Sequence, residues 1–277
     1  MKAGDSPVDP TTVIGEILGE PSALMRNPVN ADYQCPFINS RCVKKGKRSD
    51  EPYPICSIWR GKPSARQLVC VCPKRFFEAE ICTDIFAHCW PGPRPIEYRL
   101  VYDVTINGYG RDEMIIADID SETKNVNSFV SVKFQAIDIS GSVESAYNAA
   151  INSKMLDRRP TSGLNEANVT KRFLFQLMTK GRCHSEWGSR IVAVLQASQY
   201  DRLRTQVPFD DSVEDDKCSI AFLLYDYVHW TDDGENRFQM SFSKCTKTNH
   251  ECLISGLAAI KPPPRRLFCD KLIARLG

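Results

Sequence analysis

Seven of the chain's 12 cysteines fall within the 55 residues from Cys35 to Cys89. Such crowding reads as a disulfide framework in a secreted chain and as a metal site in a reducing compartment. The opening MKAGDSPVDP has no apolar core and carries early acids and prolines, so it does not read as a secretory signal. A reducing compartment and a bound metal are the resulting expectation. The order is Cys35, Cys42, Cys56, Cys70, Cys72, then Cys82 and Cys89. Thiolates are soft, charged donors, and four of them fill a tetrahedral shell around zinc or iron. The spacing lacks the paired CxxC knuckles of common zinc ribbons, and a set of unligated thiols is the plain alternative. Cys218, Cys245 and Cys269 stand singly and read as small buried hydrophobes.

The same segment is broken by Pro36, Pro52, Pro54, Pro63, Pro73 and Pro91. With so little apolar periodicity it is expected to lack a core of its own, and a metal would supply the missing stability. It is also basic. Residues 41–75 hold ten Lys and Arg against Asp50 and Glu51, and residues 261–277 hold five against Asp270, although the whole chain carries only +2. The balance lies partly in one acidic knot, Asp210, Asp211, Glu214, Asp215 and Asp216. A focused basic block suits a polyanion partner, and a solvated charged face is the alternative. At 42% hydrophobic and 25% charged residues the chain is a folding one. No apolar run approaches the roughly 18–20 residues that would span a bilayer.

Trp90-Pro-Gly-Pro-Arg-Pro95 is the best boundary, dividing the chain into residues 1–92 and 93–277. Upstream, Thr11 or Thr12 is expected to cap a short helix over 14–18, ended by Gly19 and Pro21. Downstream, strands are expected at 99–106, 112–119 and 129–137, forming an antiparallel meander. Helices follow at 142–155, capped by Ser142, and at 168–180, capped by Asn168 and ended by Gly181. Residues 190–196 and 219–228 read as buried strands and 237–242 as an edge strand. A final helix is expected over 265–276. The order is that of an α/β or α+β domain with a mixed sheet and flanking helices.

The third strand carries the chemistry. Alternation puts Val130, Val132, Phe134 and Ala136 on one face, and Ser131, Lys133 and Gln135 on the other. A hairpin turning near 121–127 would bring Asp112 toward Lys133 and Gln135, with Glu97 just before the first strand. Carboxylates hold Mg²⁺, the cation activates water and offsets charge on a phosphate, and a lysine or amide steadies the transition state. A solvated polar strand face explains the same residues without catalysis, and Asp118 and Asp120 are rival carboxylates. No Gly-rich phosphate loop, HExxH or nucleophile elbow competes. His184 and His229 could assist a site, although lone histidines are more often structural.

Several stretches carry a resemblance. They are Ile14-Gly-Glu-Ile-Leu-Gly19, Cys35-Pro-Phe37, Cys42-Val-Lys44, Ile55-Cys-Ser57 and Val71-Cys-Pro-Lys-Arg-Phe76, then Gly110-Arg-Asp112 and Val132-Lys-Phe-Gln-Ala-Ile-Asp-Ile-Ser-Gly-Ser142. Together they resemble the NotI/EagI-type restriction endonucleases, from residue 14 to about 200. The resemblance implies a PD-(D/E)xK nuclease core of α/β class behind a small four-cysteine metal module. It implies a cytoplasmic bacterial type II enzyme that cuts double-stranded DNA with Mg²⁺, as a homodimer on a palindrome, the family favouring G/C-rich sites. The carried-over metal ligands are Cys35, Cys42, Cys56 and Cys72, with Cys70 a rival to Cys72. The family's metal is iron, and this sequence alone leaves iron or zinc open. The carried-over catalytic residues are Glu97, Asp112 and Gln135, with Glu97 and Asp112 holding Mg²⁺. Where the family has glutamate two residues before the glutamine, this chain has Lys133. Either Lys133 is itself catalytic, or the chain binds DNA without cutting it. A Cys-rich protein-interaction module is a third reading, which leaves the long α/β part without a purpose.

Overall fold

The computed structural model describes residues 8–24, 32–45, 51–157, 160, 163–230 and 237–276. The N-terminal part holds β1 (Ile14–Ile17), β2 (Glu20–Pro21), β3 (Gln34–Cys35), β4 (Ser40–Arg41), β5 (Ile55–Arg60), β6 (Gln67–Cys70) and α1 (Ile81–His88). The expected helix over 14–18 is a strand. Asp9 and Pro10 close a single 3₁₀ turn, and Leu18 (φ 50°) and Gly19 (φ 85°) turn the chain back into β2. Ile14 and Ile17 are thereby buried against β5. The core of this segment is shared with the rest of the chain. Ile14, Ile17, Ile55, Val69 and Val71 form a cluster with Ala146, Tyr147, Ala149 and Ala150. Its prolines sit at element edges, so they punctuate the small sheet β2-β1-β5-β6 and do not abolish it.

Next come β7 (Arg99–Ile106), β8 (Gly110–Ile119), β9 (Val126–Gln135), β10 (Ile139–Ser140), α2 (Glu144–Ile151), β11 (Gly163–Leu164) and α3 (Glu166–Glu186). The chain ends with β12 (Arg190–Gln196), α4 (Ala197–Gln206), β13 (Ile220–Trp230), β14 (Arg237–Thr248), α5 (His250–Ala258) and α6 (Arg265–Leu276). The large sheet runs β14-β13-β12-β9-β8-β7. β7, β8 and β9 form the expected meander, β12 lies parallel to both β9 and β13, and β14 returns antiparallel. This is a mixed sheet with helices.

Both faces of its centre are covered. On one, Phe76, Ile81, Ile85 and Trp90 pack on Met114, Val130, Val132, Val192 and Leu223. On the other, Phe173, Leu174, Leu177, Tyr200 and Leu253 pack on Ile191, Ala193, Leu195, Phe222 and Leu224. Every residue of β12 is therefore buried, the physical reason it reads as an unbroken apolar run. Among the described residues no helix is long and apolar enough to cross a membrane.

Candidate active site and cysteine cluster

β9 presents Ser131, Lys133 and Gln135 on the face that α3 covers, since they pair in register with Ile191, Ala193 and Leu195. β8 stays paired with β9 only as far as Met114 opposite Val132. On the other side of β8, Tyr102 pairs with Met114 and Val104 with Asp112, and Asp103 between them has φ 59°. The tip of the β7–β8 hairpin is thus released to meet α3. Lys180 Nζ donates to the Arg111 carbonyl (2.7 Å) and to Asp112 Oδ1 (2.5 Å). Ser131 Oγ and Tyr109 OH both donate to Asp112 Oδ2, at 2.5 and 2.7 Å. Tyr109 OH also lies 2.9 Å from His184 Nε2, and His184 Nδ1 lies 3.1 Å from Ser189 Oγ.

Burial alone would raise the Asp112 carboxyl. The hydrogen bonds from Lys180, Ser131 and Tyr109 outweigh it and hold the group below its ordinary range, so it is ionised at neutral pH. His184 has no comparable support. Burial pushes it down to about 4, and it is neutral. Next along β8, Glu113 Oε1 takes a 2.7 Å bond from Lys133 Nζ. Gln135, on the same face, donates to the Ala136 carbonyl. Two consecutive carboxylates are thus each closed by a lysine, Asp112 in the interior and the Glu113 pair at the rim, partly open to solvent.

Of the expected site residues, Asp112, Lys133 and Gln135 come to one face. Glu97 does not join them. It is exposed beside Arg99, which pairs with Ala117 at the other end of the hairpin. That is roughly six residues, or about 20 Å of strand, from the Glu113–Lys133 pair. The reason is topological: an antiparallel hairpin puts residues just before its first strand beside the end of its second. Sequence places Ser131 on this face and leaves His184 as a possible assistant, but it does not single out Glu113, Lys180 or Tyr109 as partners of the site. One signal was present. Phe173, Leu177, Lys180 and His184 follow the spacing of a single helical stripe, and all four are buried. A lysine and a histidine on such a stripe need polar partners.

The four expected thiols are neighbours. Cys42 lies within electrostatic reach of Cys72 and Cys35, and Cys56 within reach of Cys72. Lys44 stands among them, donating to the Ile55 and Val71 carbonyls. Cys70 instead faces the large sheet's apolar core, where burial pushes its thiol up to about 12. The expectation of a preformed four-cysteine shell is not met. Among the described residues no three His, Cys, Asp or Glu side chains are grouped so as to hold a metal ion. Burial raises the Cys42 and Cys56 thiols. The basic block is also partly spent internally. Arg75 is buried on Glu16, and Lys47, Arg48 and Asp50 lie outside the described residues. Lys45, Lys62, Arg66 and Lys74 are exposed.

A family model described as restriction endonuclease NotI matches residues 22–240 of the chain. No curated protein matches it.

Proposed function

Because the chain belongs to the NotI restriction endonuclease family, whose model spans residues 22–240 of its 277, we propose that it is an active type II enzyme. In this reading it hydrolyses phosphodiester bonds with Mg²⁺ at a palindromic, G/C-rich site in double-stranded DNA. It works in the cytoplasm as a homodimer, which matches the two-fold symmetry of a palindrome. The observation that carries the reading is the pair of adjacent carboxylates, each closed by a lysine, on a strand face beside Gln135.

The donor set fits a hard divalent cation, which takes one or two carboxylates and keeps several waters. Asp112 and Glu113 would hold it. When bound, Mg²⁺ supplies charge neutralisation at the phosphate and a more acidic water. The chain's own groups do the rest. Lys180 keeps Asp112 ionised and aimed. With Mg²⁺ held there, Lys133 would be free of Glu113 and its ammonium would face the phosphate oxygens. Gln135 orients the attacking water through its amide. Glu113 thus replaces the carboxylate missing at position 133, and Glu97 is left outside the site. A structural iron or zinc is assigned to Cys35, Cys42, Cys56 and Cys72. Cys72 is preferred to Cys70 because Cys42 and Cys56 both lie near it.

The non-cleaving alternative rests on Lys133 standing where the family has glutamate. Incubation with plasmid DNA and Mg²⁺, followed by sequencing of the ends, separates the two. Active protein should lose cleavage with Asp112→Asn while still binding DNA. Lys133→Ala should slow cutting ~10²-fold, as for loss of one charge-stabilising donor. An inert natural protein that gains activity with Lys133→Glu would establish the alternative.

A further inference from the structure

Three cysteines outside the N-terminal cluster meet near the β14 edge of the large sheet. Cys89 follows α1 and is 1% exposed, Cys218 precedes β13 and is buried, and the Cys245 side chain packs against the same core. Cys245 lies on β14 opposite Leu223, and its Sγ reaches 3.9 Å from the carbonyl of His88, the residue before Cys89. The Cys89 and Cys245 side chains are neighbours, and the Cys245 thiol donates to the His88 and Thr246 carbonyls. None of these groups belongs to the site on the α3 face. They lie on the opposite face of the sheet, among the residues that pack on Phe76 and Ile85.

The two thiols of the pair are not equivalent. Cys89 is shut in, whereas Cys245 is partly exposed and lines a surface cleft of about 440 Å³ with His88, Phe242, Lys244 and Lys247. Peroxide can reach the second and not the first. The contact with Cys89, with Lys247 and Arg190 nearby, outweighs burial and lowers the Cys245 thiol below its ordinary range. The same contact, together with burial, raises Cys89. A partly exposed thiol at a cleft, with a second, enclosed thiol at its back, is the arrangement of a redox-reactive cysteine with a resolving partner.

We propose that Cys245 and Cys89 form a peroxide-reactive pair in which Cys245 is oxidised first and Cys89 resolves it to a disulfide. The Cys245 sulfur attacks one peroxide oxygen, the S–O bond forms, the O–O bond breaks, and hydroxide leaves to take up the thiol proton as water. The Cys89 sulfur then attacks the sulfenic sulfur. The S–S bond forms, the S–O bond breaks, and a second water leaves with the Cys89 proton. Two electrons pass from the two sulfurs to one peroxide. The product ties the end of α1 to β14, and a dithiol reductant reverses it.

The test is mass spectrometry on the full-length protein. Iodoacetamide at neutral pH should label Cys245 at least about tenfold faster than Cys269 in the wild type, because the thiolate is the nucleophile. After substoichiometric hydrogen peroxide, a non-reducing peptide map should show the Cys89–Cys245 crosslink as the first product. Cys89→Ser should leave a sulfenic acid at Cys245 that dimedone traps, and Cys245→Ser should leave Cys89 unoxidised. A first disulfide elsewhere, or Cys245 labelling no faster than Cys269, overturns the proposal. Neither wild-type measurement depends on a variant that folds.

Discussion

His184 shows how one buried side chain sets a pH dependence. Its imidazole titrates near 6.5 when unfolded and is pushed down to about 4 by burial. Between those values the unfolded chain binds the extra proton, so stability rises with pH from about 4 to 6.5 and is fully present above that. The window is worth on the order of 3 kcal/mol. His184→Gln keeps a polar group near Tyr109 but cannot titrate. Urea denaturation from pH 4 to 7 should therefore give a flatter profile for this variant than for the wild type, and an equally steep profile would locate the acid lability elsewhere. Asp112 acts in the same direction at lower pH. Its lowered carboxyl stabilises the fold above the unfolded value and gives that up only as pH falls below it.

At the scale of elements, α3 runs past its sequence expectation. Gly181 reads as a helix end, yet the helix continues to Glu186. The glycine is there for clearance: a Cβ at this position would lie 2.6 Å from Ile220 Cδ1 and 2.7 Å from Cγ1. That clearance lets α3 sit close on β13 and carry Lys180 and His184 to the hairpin tip. In an exposed helix Gly→Ala would stabilise by about 1 kcal/mol. Here overpacking costs about 1–3 kcal/mol, so Gly181→Ala should be destabilising. Ile220→Val should recover part of the loss in a double-mutant cycle read by denaturant midpoints. A stabilised single variant would mean that Ile220 moves aside freely.

For the whole molecule, Arg75 is the tie between the two sheets. Its guanidinium is fully buried on Glu16 of β1 and also contacts Glu78 and the Phe238 carbonyl of β14. Removing one partner of such a pair strands a buried charge at a cost of about 3–5 kcal/mol. Arg75→Ala should lower the denaturation midpoint accordingly, whereas Arg75→Met with Glu16→Leu should restore much of the loss. Failure of the double variant to recover would assign the cost to the Glu78 and Phe238 contacts. The thiol cluster belongs to this scale too, since Cys35, Cys42, Cys56 and Cys72 come from separate turns and strands. Metal analysis should find about one iron or zinc per chain, and Cys56→Ser should cost soluble protein. Metal-free protein of full stability would remove the metal from the account.

Much of the fold was legible locally, for a physical reason. β7 was readable to its ends from its β-branched and aromatic residues, and because strand alternation has period two, the split of β9 into an apolar face and a Ser131–Lys133–Gln135 face followed from its letters. β12 announced its burial by carrying no polar alternation at all. The crowding of cysteines was equally plain. What tertiary structure decided was every pairing across long chain separations, because such contacts leave no local period. It bent the β7–β8 tip onto α3, giving Asp112 to Lys180, and left Glu97 at the far end of the hairpin. It buried Arg75, which by composition was one more basic surface residue. It also set Cys89, one of the crowded cysteines, against Cys245, which stands alone in the sequence, because β14 returns along the edge of the sheet.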